Sequence, residues 1–190
     1  GSMHAVRWAF RDSEQESLRR MRRMKLDPAL LPTVQRLFSA LFFADPAFRA
    51  PSEVLGLGLP SRSRLWGRGI SGDDPVLLVR VHDAQAPLLA ETLAAHRYLR
   101  HCGVRVDLVL VDEQASGYVT EGSGTLRGVL AQHEADDWLN RRGGIYVLAT
   151  DQISEDERQH LEACARAVLD TRDGSLASRM AQPAESRPTL

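Results

Sequence analysis

The sequence predicts an α/β fold: a small three-layer domain with a mainly parallel sheet of about three strands in Rossmann-like topology, preceded by N-terminal helices. Three observations carry that reading. From Pro75 onward, short β-branched apolar runs alternate with longer amphipathic stretches, the pattern of parallel strands joined by helical crossovers. The first run, Val76-Leu77-Leu78-Val79-Arg80-Val81, is almost continuously apolar, as for a strand covered on both faces. A composition 43 % hydrophobic and 26 % charged over 190 residues suits one buried core, with at most an appended helical segment.

The elements follow in order. Gly1-Ser2 ahead of Met3 reads as a cloning scar (residues 1–3), with no signal-peptide pattern behind it. Residues 4–50 read as helical and are expected to pack on the sheet. Within them Leu18, Met21 and Met24 recur at helical spacing among Arg19, Arg20, Arg22, Arg23 and Lys25. Asp27-Pro28 supplies an N-cap and a proline at the first helical position. Leu30, Leu31, Val34, Leu37, Phe38, Leu41 and Phe42 then form an unbroken amphipathic stripe that must lie against something, and Asp45-Pro46 stops it. Residues 51–74 have loop composition, with Gly56, Gly58, Gly67, Gly69 and Gly72 and few periodic apolar positions.

The α/β part is predicted over residues 75–182. After the first strand, Pro87 opens a helix that runs to about His101, with Leu88, Leu89, Leu93 and Leu99 inward and Gly103 closing it. A second strand is predicted over residues 104–111 and a second helix over 125–140, ended by Gly143-Gly144. Residues 145–148 form the third strand. Ser154 and Glu157 then have the spacing of a capping box, at the head of a helix expected to reach about Asp170. Residues 183–190 read as a flexible tail.

Charge and composition exclude several classes. A formal net charge of -1 provides no field for nucleic acid or an anionic membrane. The apolar runs are far too short to cross a bilayer. Cys102 and Cys164 have neither metal-ligand spacing nor a redox motif, and both are expected as small buried thiols in a reducing, cytoplasmic setting. No cofactor is expected.

Gly67-Arg68-Gly69-Ile70-Ser71-Gly72 has the spacing of a dinucleotide fingerprint, but the context is wrong. The fingerprint needs its glycines after a strand and at a helix N-terminus. Here they precede a strand, and Asp73-Asp74 would place negative charge where a phosphate should sit. The competing reading is a loop that needs positive φ at several points. The carboxyl ends of the three strands carry Asp83, then Asp112 and Glu113, then Asp151. In open parallel sheets that edge binds ligands, and carboxylates there can hold a divalent metal or sugar hydroxyls. Against this, Asp83 and Asp151 can simply lead into the helices that follow. No histidine or nucleophile pairs with them, so acid/base catalysis is unsupported. His96 lies at the edge of an apolar helical face, where a hydrogen-bonded structural histidine is expected. Trp66, Tyr98, Tyr118 and Trp138 can stack on sugar rings or anchor the core; Trp66 stands out because a glycine-rich loop holds it. The basic run at residues 19–25 can touch phosphate groups or lipid heads, but it reads first as the solvated face of a helix.

Leu65-Trp66-Gly67-Arg68-Gly69-Ile70-Ser71-Gly72-Asp73-Asp74-Pro75, leading into the valine-rich strand, resembles a segment of the cyclic β-1,2-glucan synthases. His96-Arg97-Tyr98-Leu99-Arg100 with Gly103 and Val106-Asp107-Leu108-Val109-Leu110 is similar to the next helix and strand of that family. Gly143-Gly144-Ile145-Tyr146-Val147-Leu148, Asp151-Gln152-Ile153-Ser154, and Leu169-Asp170 with Gly174-Ser175-Leu176 also fit, so the similarity covers about residues 30–179. Arg68 and Asp74 depart from the aromatic and leucine usual there. The resemblance implies a parent that is a very large bacterial inner-membrane enzyme, building and closing rings of β-1,2-linked glucose from UDP-glucose. It implies a membrane glycosyltransferase part and a cytosolic phosphorylase-like part, with this segment between β-sandwich modules of the latter. The family's catalytic residues lie in other segments, so none carries over.

The expectation is therefore a non-catalytic structural module on the cytoplasmic face, partnered by other modules of the same polypeptide and touching the membrane only through its parent. A glucan-binding module is the first alternative, using Trp66, Arg68 and Asp73 with the edge carboxylates Asp83, Asp112, Glu113 and Asp151. An independent metal-dependent phosphate hydrolase at Asp83, Asp112 and Asp151 is the second.

Overall fold

The computed structural model describes residues 27–43, 45–56, 65–114 and 125–182. The basic run at 19–25, Tyr118, Gly58 and the tail at 183–190 lie outside the described residues. Among the described residues, these helices and strands follow in chain order: α1 (Leu31–Phe43), α2 (Ser52–Leu55), β1 (Val76–Val81), α3 (Pro87–His101), β2 (Asp107–Asp112), α4 (Leu126–Gln132), β3 (Ile145–Ala149), α5 (Glu155–Cys164), β4 (Ala167–Asp170) and α6 (Leu176–Ala181).

The sheet has four strands in the order β3-β2-β1-β4, all parallel. Leu78 of β1 pairs with Val109 of β2 on one side and Val168 of β4 on the other. The fold class is the expected α/β, but the strand count is corrected from about three to four. The predicted helix over 154–170 ends at Cys164, because Ala165 turns extended (φ -64°, ψ 138°) and Arg166 N–H donates to the Val76 carbonyl at 2.8 Å. Ala167–Asp170 then adds itself to the free edge of β1. Four residues are too few to show a strand period after so short a link. The predicted helix over 125–140 is also shorter, since Glu134 adopts φ 55° and a single 3-10 turn, Asp136–Trp138, follows. Strand β2 starts at Asp107, three residues later than the periodicity predicts.

Side-chain alternation divides the sheet into two buried faces. Leu77, Val79, Leu108, Leu110, Ile145 and Leu169 face one core, filled by Val34 and Leu37 of α1, Leu88 and Leu93 of α3, Leu126 of α4 and Leu176 of α6. Val76, Leu78, Val109, Tyr146 and Val168 face a second core, filled by Leu161 of α5 and by Leu65 and Ile70 of the glycine segment. Each fully buried leucine of these sets contributes roughly 1.5–3 kcal/mol, so both faces are needed to hold so small a sheet. Arg179 of α6 ties the layers on the first face, donating to the Ala47 carbonyl at 2.8 Å with its guanidinium 4.7 Å from the Phe48 ring centroid.

Strand order reverses beside β1: the chain moves outward to β2 and β3, then returns through α5 on the opposite face to β4. In doubly wound sheets a ligand crevice opens at such a reversal, where neighbouring strands send their connections to opposite faces. Here β1 leads to α3 and β4 leads to α6, and α3 and α6 pack in the same core. The two connections therefore converge.

Candidate functional site at the carboxyl edge of the sheet

Where β1 ends, the backbone N–H groups of His82 and Asp83 point toward the end of β4. Both donate to one atom, Thr171 Oγ1, at 2.9 and 3.2 Å. Thr171 is buried, in a single 3-10 turn Thr171–Asp173. Amides in this position receive anionic ligands in nucleotide-binding sheets. Here a side chain of the same domain takes them.

Three of the four edge carboxylates are similarly engaged. Asp83 Oδ1 accepts from Gln85 N–H at 2.8 Å, forming the turn into α3, and Asp112 Oδ1 accepts from Gln114 N–H at 3.0 Å. Both are Asx turns, which aspartate forms readily after a strand. The Thr150 hydroxyl lies 2.9 Å from Glu113 Oε2 and 3.0 Å from the Asp112 carbonyl oxygen. Gln114 Nε2 donates to the His82 carbonyl, linking the ends of β1 and β2. Asp151 is exposed in the 3-10 turn Thr150–Gln152. Among the described residues no group of three or more His, Cys, Asp or Glu side chains is placed to hold a metal ion.

Beneath α5 an ion-pair network occupies the same end of the sheet. Asp170, the last residue of β4, meets Arg172 at 2.7 Å, Arg80 at 3.2 Å and His82 at 3.4 Å. Burial pushes its carboxyl up, but the hydrogen bonds from Arg172 and the charges of Arg80 and His82 outweigh that and hold it below the ordinary aspartate value. Glu162 of α5 sits 3.6 Å from Arg80 and 3.5 Å from Arg158. This network escaped sequence reasoning. Its visible signal is Arg80, the one charged residue in an otherwise apolar strand, which must find a buried counter-charge.

The glycine segment forms a separate region that crosses the second face. Gly69 and Gly72 adopt φ 76° and 71°, so the positive-φ expectation holds there, and the turn enters β1 instead of leaving a strand. Arg68 donates to both oxygens of Glu157 at 3.1 Å and to the Gln152 carbonyl at 2.7 Å, fastening the segment to the start of α5. Ser154 and Glu157 complete the expected capping box. Asp73 lies at the other edge, 3.7 Å from Arg142. Trp66 is 64 % exposed, yet its indole N–H donates to the Ser71 carbonyl at 3.0 Å. The predicted binding residues thus fall into two sets: Asp83, Asp112, Glu113 and Asp151 at the carboxyl edge, and Trp66, Arg68 and Asp73 on the glycine segment.

Other candidates are structural in their surroundings. His96 is buried, and its Nε2 lies 2.8 Å from the Val106 carbonyl oxygen; burial depresses its pKa to about 4. The Arg100 guanidinium stands 3.7 Å from the Trp138 ring centroid, which occupies that ring. Tyr98 is partly buried against the first core. The expectation of two buried thiols is corrected at Cys102, which is exposed just beyond the end of α3; Cys164 is half-buried, and burial pushes its thiol up. Among the described residues, no helix is long and apolar enough to cross a membrane.

No family model matches the chain. A curated protein, the cyclic β-(1,2)-glucan synthase NdvB of Rhizobium meliloti (strain 1021), is 30 % identical over 164 residues. That match takes in 85 % of this chain but 6 % of the synthase. The resemblance carried by the glycine segment and by the strands and helices after it is thus upheld, and the chain is a relative of one short segment of a cyclic β-(1,2)-glucan synthase.

Proposed function

We propose that this chain is a structural α/β module of a carbohydrate-synthesising polypeptide related to the cyclic β-(1,2)-glucan synthases. Its role is to orient neighbouring modules of that polypeptide on the cytoplasmic side of the membrane, while other segments perform the chemistry. One observation carries the reading: Thr171 Oγ1 accepts both backbone N–H groups at the end of β1. The amides best placed to receive a ligand are therefore committed inside the fold, and the aspartates beside them form turns. Titration with β-1,2-glucan oligomers, followed through backbone amide shifts, tests it. Unmoved resonances along the carboxyl edge and the glycine segment support the reading, and saturable shifts clustered at residues 67–73 overturn it.

A second reading, a glucan-binding module, rests on Trp66. An indole this exposed, with its N–H already satisfied inside the loop, presents a pre-oriented apolar face to solvent. Such a face suits the C–H side of a pyranose. In the same titration this reading requires quenching or a shift of tryptophan fluorescence that disappears in Trp66→Ala.

A further inference from the structure

The opposite edge of the sheet holds a carboxyl group that the proposed function does not use. Asp107 opens β2 and is 0 % exposed. Its Oδ1 accepts from Gly143 N–H at 2.7 Å, while its Oδ2 is buried with no hydrogen-bond partner. The groups around it come from every neighbouring element. Asp73 and Asp74 precede β1, Arg105 precedes β2, Arg142 sits in the turn before β3, and Tyr146 belongs to β3. The Arg142 guanidinium is already committed to Asp74, at 2.7 Å, with Asp73 at 3.7 Å. Arg105 stands 3.9 Å from Asp74 and is largely exposed. Three carboxylates thus share two arginines, and the most deeply buried of the three has the weakest claim on either.

We propose that Asp107 acts as a proton-sensitive catch that fastens the turn before β3 to the exit of the glycine segment. Ionisation leaves Oδ2 as a charged, unpartnered atom in the core and adds a negative charge beside Asp74, both unfavourable in a poorly solvated site. Burial, then the nearby charges of Asp74 and Asp73, push this carboxyl above the ordinary aspartate value, against the opposing Gly143 hydrogen bond and the Arg142 charge. The same surroundings raise Tyr146, first by burial and then through Asp107 and Asp74.

The catch can transmit because the turn it holds has no slack. A side chain on Gly144 would approach the Trp138 carbonyl oxygen to 2.2 Å, and one on Gly143, at φ 68°, would meet the Arg105 side chain at 3.1 Å. An ionised Asp107 keeps Gly143 N–H but competes with Asp74 and Asp73 for the Arg142 guanidinium, which loosens the end of the segment that carries Trp66. Protons hold the segment down. Their loss frees it.

The test is a stability profile of the whole chain by chemical denaturation from pH 4 to pH 8, for the native sequence and for Asp107→Asn. The asparagine keeps the Gly143 acceptor and cannot ionise. The proposal expects the variant to gain stability relative to the native chain as pH rises, with the difference appearing above the ordinary aspartate value of about 3.9. Parallel profiles overturn it. If the variant fails to fold, the 13C titration of the Asp107 carboxyl in the native chain decides. A midpoint above that ordinary value, followed by the Arg142 side-chain resonances with the same midpoint, upholds the catch; a midpoint at or below it, or one that Arg142 does not follow, rejects the catch.

Discussion

Thr171 and His82 are 89 positions apart in the chain, yet the threonine hydroxyl oxygen lies 2.9 Å from the His82 backbone nitrogen. The bond closes the sheet where its strand order reverses, and it exists because the connections from β1 and β4 turn to the same face. Had the chain after β4 turned to the face of α5, these loops would diverge and leave a crevice. The account of this chain as a scaffold depends on that convergence.

Removing the hydroxyl should expose its value. Thr171→Ala leaves two partly buried N–H groups without an acceptor and is expected to lower the unfolding free energy by about 1–3 kcal/mol. Thr171→Ser retains the oxygen and should recover most of that loss. Urea denaturation of both variants checks the pair, and equal losses would show that the methyl group, not the hydroxyl, matters.

Two glycines separate steric from conformational demand. Gly144→Ala drives a Cβ to 2.2 Å from one backbone oxygen and 2.7 Å from another, neither of which can swing aside. Its loss should reach or exceed the upper end of the roughly 1–3 kcal/mol typical of overpacking. Gly103→Ala meets nothing within 4 Å and carries only the strain of φ 81°, about 1–2 kcal/mol. Thermal melts of the two variants should rank in that order.

His96 gives a pH dependence of opposite sign to that of Asp107. Its folded pKa, about 4, lies below the ordinary histidine value of 6.5, so the unfolded chain binds the proton more tightly. Its contribution is complete above pH 6.5 and falls away as pH drops toward 4, by about 3 kcal/mol at most. His96→Gln should flatten stability over that window, as measured by denaturation at fixed pH steps. An Asp107→Asn chain with His96 intact that is equally stable at pH 4.5 and pH 7 would contradict this.

Arg68 joins the glycine segment to α5, and its partner Glu157 is held below the ordinary glutamate value by hydrogen bonds from Ser154 and Arg68. A depressed carboxylate supports the fold above its unfolded pKa and loses that support as pH falls through the folded one. Arg68→Met should therefore speed amide exchange at Gly69 and Ile70 at neutral pH, and the difference from the native chain should shrink in acid. Unchanged exchange at both amides would remove Arg68 from this role.

Much of the fold was legible because its signals are local. β1 announces itself as an apolar β-branched run, and Ser154 with Glu157 marks the head of α5 through a spacing of three. β4 was not legible, because only Ala165 and Arg166 separate it from α5 and its four residues carry no period. The edge carboxylates were found by position alone. Whether Asp83 and Asp112 face a ligand or their own turns depends on loop geometry, and the sequence does not contain the distance to Gln85 or Gln114. Thr171 had no signal at all, since its partners come from the far end of the domain. Asp107 did have one: an aspartate opening an apolar strand, with a glycine pair later in the chain to reach it.

The scaffold account is tested most directly in a full-length cyclic glucan synthase that carries this chain as a segment, by replacing Asp83, Asp112 and Asp151 together with asparagine and measuring glucan formed per enzyme. Asparagine preserves the turns at Asp83 and Asp112 while removing all three charges. The account predicts output within about twofold of the native protein. A loss of a hundredfold or more, about 2.7 kcal/mol of transition-state stabilisation, in a protein that still folds would place chemistry at this edge and contradict it.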